Sequence, residues 1–415
     1  MKYQNIYLNK VKKKILKEKN NCLPIVKYVS AKNKKRKRSI KINKKQWLKN
    51  YLDATKLDDI DLIIELIGGA EGPAKKLVFA ALKNKKHVVT ANKALIAKYG
   101  DQLAKIAEIN KVNLEFEASV CGGVPIIRTL KEGLIANKIS KIYGIFNGTS
   151  NYILSSMDNQ NKSFNEVLNN AKNLGYAESN PSADLNGDDV TSKLKILSSL
   201  CFNSFLNNNV YVEGIKDIDK SDIDNANKFG YKIKLLGYAE LLNKKLYQRV
   251  HPTLLKKDSY VAGIDGVLNA VIVDGKPIGQ TIIQGEGAGP AATTSALVSD
   301  ISSILRGNIK FPFSLSIKER KKLRFDTIDQ RFFSAYLRFE VIDKPGVLSN
   351  ITKIFSKNKI SIKRLIQNPD KNKKSSSIII ITHKSKDIYL KKTLKEVAKK
   401  KYMKRYPKLI RIDDN

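Results

Sequence analysis

The chain is predicted to be an α/β protein. It should open with an incomplete doubly wound parallel sheet, continue into a mixed α+β middle and end in a βαββαβ unit. Three observations predict this. Helix-like and strand-like patterns alternate over the first 120 residues. The run Ile60–Gly69, IDLIIELIGG, is apolar on both faces and ends in glycines, as a buried parallel strand reads. The last stretch, 333–415, follows the order strand, helix, strand, strand, helix, strand.

Tyr7, Leu8, Val11, Ile15 and Leu16 form one stripe, predicting a helix over Ile6–Lys17. The short apolar run Ile25–Val29 predicts a strand, and the basic segment AKNKKRKRS a loop. After IDLIIELIGG, residues Ala74, Leu77, Val78, Ala81 and Leu82 recur at helical spacing. HVVTAN reads as a strand, ALIAKYGDQLAKIAEIN as a helix and VNLEFEAS as a strand. Such alternation implies parallel strands with right-handed crossovers.

From about residue 121 the pattern changes. ISKIYGIFNG predicts a strand, and Phe164–Leu174 a helix with a Ser163/Glu166 capping box and Gly175 at its stop. Gly285–Leu305 is glycine-rich and then helical, and the basic linker SIKERKKLRFDTIDQRF follows. The final unit places strands at Ser334–Val341, Ile360–Gln367, Ser375–Thr382 and near Leu409, with helices at Val347–Lys357 and Ile388–Lys400. Three parts are expected: 1–120, 121–310 and 333–415.

Apolar content of 42% and aromatic content of 8% suit a globular chain. No apolar run approaches the roughly 18–20 residues that cross a bilayer, and the start lacks a secretory signal. Three scattered cysteines, Cys22, Cys121 and Cys201, suit a reducing cytoplasm, where the protein is expected. The net charge of +38 is spread along the chain and is dense only at Lys32–Lys45 and Lys391–Lys404. Neither stretch carries interleaved aromatics or a nucleic-acid motif, so solvated lysine faces are expected and no nucleic-acid partner.

The sharpest chemical signal is Ala171–Lys193, AKNLGYAESNPSADLNGDDVTSK. It gathers Glu178, Asp184, Asp188, Asp189 and Lys193 around a Gly/Pro/Asn-rich loop. Asp188 or Asp189 can cap the following helix, and Asp189 and Lys193 are then i, i+4 neighbours. A capped helix with a surface ion pair would read the same way, so spacing alone leaves catalysis open.

This stretch resembles the homoserine dehydrogenase signature A-x3-G-Y-A-x2-N-P-x2-D-L-x-G-x-D-x3-K at every fixed position. ELIGG, TANKALIA, EASVCGGVPI, NGTSNYIL and QGEGAGPAATTSALVSD match the family in the same order. The resemblance implies interconversion of L-homoserine and L-aspartate 4-semialdehyde with NADP or NAD. It implies Lys193 as general acid/base, Asp189 as its orienting partner, and Glu178, Asp184 and Lys93 at the substrate. Ile67, Gly68, Lys93 and Gly289 would meet the cofactor. Glu117, with backbone carbonyls at Val120, Gly122 and Val124, would hold a monovalent cation such as sodium. Cys121 reads as a small buried residue.

The last unit resembles an ACT domain, with DKPGVLSNITKIFSKNKISIKRL as its first turn and helix. That implies an amino-acid effector, most naturally threonine, near Lys344, Pro345 and Gly346, and a homodimer or homotetramer. Cations after Ile25–Val29, with no carboxylate there, favour NADP over NAD.

One element of the pattern is missing. A dinucleotide-binding sheet opens with a strand and G-x-G-x-x-G, and no such motif precedes Ile25. The first helix aligns with the one after that loop. The chain is therefore expected to begin inside the domain, to leave a gap at a central strand position and to bind cofactor poorly. The alternative to an active enzyme is a silent relative that binds an amino acid or pairs subunits.

Overall fold

The structure is a computed structural model and describes residues 17–38, 40–307, 309–370 and 374–413. Contacts group the chain into two compact units, each built from three stretches. The first joins the stretch up to Ile142 with Ser192–Asn208 and Asn269–Leu323. The second joins Tyr143–Thr191, Asn209–Leu268 and the stretch from Arg324 onward.

In the first unit the strands Leu62–Glu65, His87–Thr90 and Leu114–Glu115 form a parallel sheet in that order. Val88 and Val89 of the central strand are fully buried, which explains its apolar character on both faces. The helix Pro73–Lys83 starts with proline, and the five apolar residues named from spacing are its buried ones. Asn92 caps the helix Lys93–Asn110 by accepting the N–H of Leu95. The helix Pro290–Leu305 packs Leu297 and Ile301 on Val89, beside Leu62 and Ile64. It thus returns to the parallel sheet.

Two expectations fail here. Ile25–Val29 is not a strand: Ile25 is 83% exposed, and only a single bridge joins Val29 to Trp47. A strand needs a ladder on at least one side. Among the described residues none lies beyond Leu62–Glu65 to offer one. VNLEFEAS pairs over only Leu114–Glu115, because Glu117–Ser119 turns as a 3-10 helix and buries Glu117. The helix expected at Ile6–Lys17 falls, except for Lys17, outside the described residues.

In the second unit one sheet runs in the order Ile362–Asp370, Ser375–Thr382, Phe332–Ile342, Lys408–Ile412, Lys245–Lys256, Tyr231–Leu242. The first four, with helices Val347–Lys357 and Asp387–Ala398, make the expected βαββαβ unit. It is not free-standing. Arg411 and Ile412 pair in parallel with Thr253 and Leu254. Two further short segments pair with the same strand: Tyr211–Val212 against Arg249–Val250, and Arg324–Phe325 against Lys245–Leu246. One continuous core follows, from Tyr238 and Tyr247 through Leu337 and Phe339 to Ile351, Phe355, Leu390 and Leu394. Each such side chain stabilises the fold by roughly 1.5–3 kcal/mol when fully buried.

This sheet also buries charge. Arg411 and Asp387 are both fully buried and pair at 2.6 Å, and Arg411 reaches Glu213 at 2.9 Å. Beside them, His251 is fully buried between Arg249 and the backbone carbonyl of Pro252. Burial first, and then the Arg249 and Arg411 charges, hold its imidazole well below the ordinary 6.5. The unfolded chain takes up this proton as pH falls through about 6.5, and the folded chain does not, so stability is lost toward acid. Urea unfolding at pH 7.5 and pH 5 should show a loss of up to about 2 kcal/mol from this residue. His251→Gln should flatten that part of the slope; an unchanged slope would remove His251 as its source.

Candidate active site

The helices Ser182–Asn186 and Asp188–Phe202 are separated by Gly187, whose φ is +88°. A Cβ there would lie 3.1 Å from Val250 and 3.3 Å from Val212, so both conformation and space call for glycine. The break sets Asp184 and Asp189 around one residue, Asn147. Its Oδ1 accepts the N–H of Ser150 at 2.7 Å, capping the helix Gly148–Asn159. That fixes the amide's orientation, and Nδ2 donates to Asp184 Oδ1 at 2.7 Å and Asp189 Oδ2 at 2.9 Å.

Asp189 and Lys193 lie one turn apart on the helix Asp188–Phe202 and are 5% and 7% exposed. Neither side chain lies on a solvated face. Asp188 and Asp189 both fall in the helix's first turn. Glu178 is exposed, in a loop tied down by Thr149, whose hydroxyl donates to the carbonyl of Tyr176 at 2.7 Å.

In the first unit, the loop after Leu62–Glu65 carries Ile67 and Gly68. Their N–H groups donate to Glu65 Oε1 at 2.6 and 3.0 Å. Gly68 and Gly69 have φ of +83° and +81°, which keeps the backbone of this strand-end loop bare. Open α/β sheets bind nucleotides at the carboxyl ends of their strands, so the loop fits a nicotinamide cofactor. Lys93 is the first residue of its helix, and Gly289 is the N-cap residue of Pro290–Leu305.

Glu117 is buried and accepts the N–H groups of Ile127 and Arg128, both at 2.8 Å. Burial pushes its carboxyl up to about 7. Asp300 accepts the Glu117 N–H at 3.0 Å, and burial, with the charges of Glu115 and Glu117, raises its carboxyl as well. Cys121 is buried, as expected. Cys121 and Gly122 both have left-handed φ, and Val124 offers its carbonyl to Ile126. A buried carboxylate beside a tight carbonyl-rich turn fits a small monovalent cation.

Residues 125–302 match the family model described as homoserine dehydrogenase, and 9–117 match the homoserine dehydrogenase NAD binding domain. Residues 335–401 match the ACT domain. The homoserine dehydrogenase of Neisseria gonorrhoeae is 39% identical over 355 residues, covering 84% of this chain and 81% of its own. The chain belongs to the homoserine dehydrogenase family. A crystal structure of a homoserine dehydrogenase from Thiobacillus denitrificans superposes with a TM-score of 0.83 at 37% identity, over 89% of this chain and 85% of that one. A hyperthermophilic archaeal homoserine dehydrogenase in complex with NADPH gives 0.55 at 26% identity, over 63% and 77%. The function is that of a homoserine dehydrogenase, an oxidoreductase with a nicotinamide cofactor. Among the described residues, no helix is long and apolar enough to cross a membrane.

Sequence reasoning named the NGTSNYIL and QGEGAGPAATTSALVSD blocks but missed Asn147 and Asp300 within them. An Asn before Gly-Thr-Ser signals a helix cap. Nothing local says that its other end meets residues 184 and 189. Asn147→Ala should therefore cost more than a lost cap of about 1 kcal/mol, since two carboxylates also lose a donor worth roughly 1.5–3 kcal/mol each. Melting temperature and kcat should both fall. A melting temperature lowered by the cap alone, with kcat intact, would contradict the clamp.

Proposed function

We propose that Lys193 is the general acid/base of the reaction, donating a proton to the aldehyde oxygen of aspartate 4-semialdehyde and taking it back from homoserine. The observation that carries this is a buried Lys193 one helix turn after a buried Asp189 that Asn147 fixes. An ammonium is suited to the task because it stabilises an alkoxide as it forms and can also protonate it. Asp189 orients the lysine. Glu178 and Asp184 receive the substrate's ammonium, and Lys93 stands where substrate and cofactor meet. When bound, the nicotinamide supplies the hydride. Ile67, Gly68, Lys93 and Gly289 line its site.

NADP is the preferred cofactor. Lys32, Lys35 and Arg36 lie in a loop organised by Arg38, which donates to the carbonyls of Asn33, Lys34 and Arg36. Such a loop presents cations to a 2′-phosphate. Glu117 and the carbonyls of Val120, Gly122 and Val124 hold a sodium-like cation. The ACT-domain turn at Lys344, Pro345 and Gly346, where Gly346 has φ +83° and caps Val347–Lys357, receives threonine. The working enzyme is a homodimer or homotetramer.

Lys193→Ala should lower kcat by roughly 10²–10⁴-fold while NADPH titration changes little. Equal loss of cofactor affinity would move Lys193 out of the acid/base role. The other assignments are read in the same assay, by exchanging NADPH for NADH, sodium for choline and buffer for threonine, with light scattering for the assembly. A null response to any exchange removes that assignment.

A further inference from the structure

Glu65 is a carboxylate with no exposure to solvent, at the end of a strand and outside every family-implied role. Thr90 faces it across the parallel ladder and is equally buried. The Thr90 hydroxyl donates to Glu65 Oε2 at 2.6 Å and accepts the N–H of Asn92 at 3.0 Å. Asn92 Nδ2 donates to the carbonyl of Gly69 at 2.8 Å, while its Oδ1 caps the helix that begins with Lys93. Glu65 Oε1 takes the N–H groups of Ile67 and Gly68. The bonds close into a ring: from Glu65 to the Ile67–Gly69 loop, to Asn92, to Thr90 and back to Glu65.

We propose that Glu65 and Thr90 are positioning residues that lock the cofactor loop Ile67–Gly69 to the start of the Lys93 helix. The proposal rests on the reading that this loop meets the cofactor. The geometry has a direction. A carboxylate only accepts, so it can take three donors at once, and the hydroxyl can pass the polarity on because it both donates and accepts. Neither residue has to touch the cofactor. Their effect is to keep two adjacent loops in one arrangement before it arrives, so that less order is lost on binding. The bonds of Thr90 to Glu65 and Asn92 are withdrawn from water, so removing the hydroxyl strands both partners.

The test uses the full chain, titrated with NADPH by nicotinamide fluorescence, alongside melting temperature and steady-state kinetics. Glu65→Gln swaps an acceptor for a donor where Thr90 points. Thr90→Val removes the hydroxyl, and Thr90→Ser keeps it. Glu65→Gln and Thr90→Val should each weaken NADPH binding by roughly ten- to a hundred-fold, the size of one lost charged or buried hydrogen bond. Their kcat at saturating cofactor should fall far less, and Thr90→Ser should bind NADPH as the parent does. Gly68→Val, which alters the loop itself, separates the layers. If it weakens NADPH binding while Glu65→Gln and Thr90→Val do not, the positioning role is wrong and the cofactor loop stands. If no variant weakens binding, both are wrong. Parallel losses of melting temperature, kcat and affinity in Thr90→Val, unrelieved in Thr90→Ser, would reduce the ring to a folding element.

Discussion

A carboxylate withdrawn from water must be handed hydrogen-bond donors, and this constraint shapes the loops of both units. Glu65 draws the N–H groups of the Ile67–Gly68 turn toward itself. Glu117 does the same to Ile127 and Arg128, and Asp300 anchors the Glu117 backbone in turn. In the second unit the roles reverse, and one amide serves two carboxylates at Asp184 and Asp189. The Ile67–Gly68 loop and the turn after Glu117 are thus held by groups placed for their charge as much as for their size. The glycines beside them, at 68, 69, 122 and 187, let the backbone come close enough to complete the bonds.

The helices were the most legible part of the sequence. Pro73–Lys83 and Val347–Lys357 declare themselves because burial repeats every three or four residues and the ends carry Pro or Gly. The central strand His87–Thr90 could be read because both its faces are apolar. Ile25–Val29 is also largely apolar but pairs only at Val29, and pairing is not a local property. The site divided in the same way. Asp189 and Lys193 lie in one contiguous signature. Asn147, Glu65 and Thr90 act through partners 25 to 42 residues away, and only the fold brings them together.

The chain carries 77 lysines and arginines against 39 acidic residues. Several of its carboxylates are committed to buried arginines. Arg338 is held by Asp219, Asp222 and Glu340, and Arg411 by Asp387 and Glu213. The excess of cations lies largely on solvated faces. Interior electrostatics are therefore balanced locally despite the overall charge, and salt should affect the surface far more than the core.

The edge of the strand Lys245–Lys256 is closed by three pieces, one earlier in the chain and two later: Tyr211–Val212, Arg324–Phe325 and Arg411–Ile412. This has a consequence for biosynthesis. A ribosome delivers residue 253 long before residue 411, its partner in the ladder. At roughly 5–20 residues per second that interval lasts on the order of ten seconds or more. Through that time the nascent strand shows a partly unpaired edge, the kind of surface on which chains cross-associate. The second unit can therefore reach its final arrangement only after the ACT-domain segment has emerged, and factors that shield nascent chains would act on it during this interval.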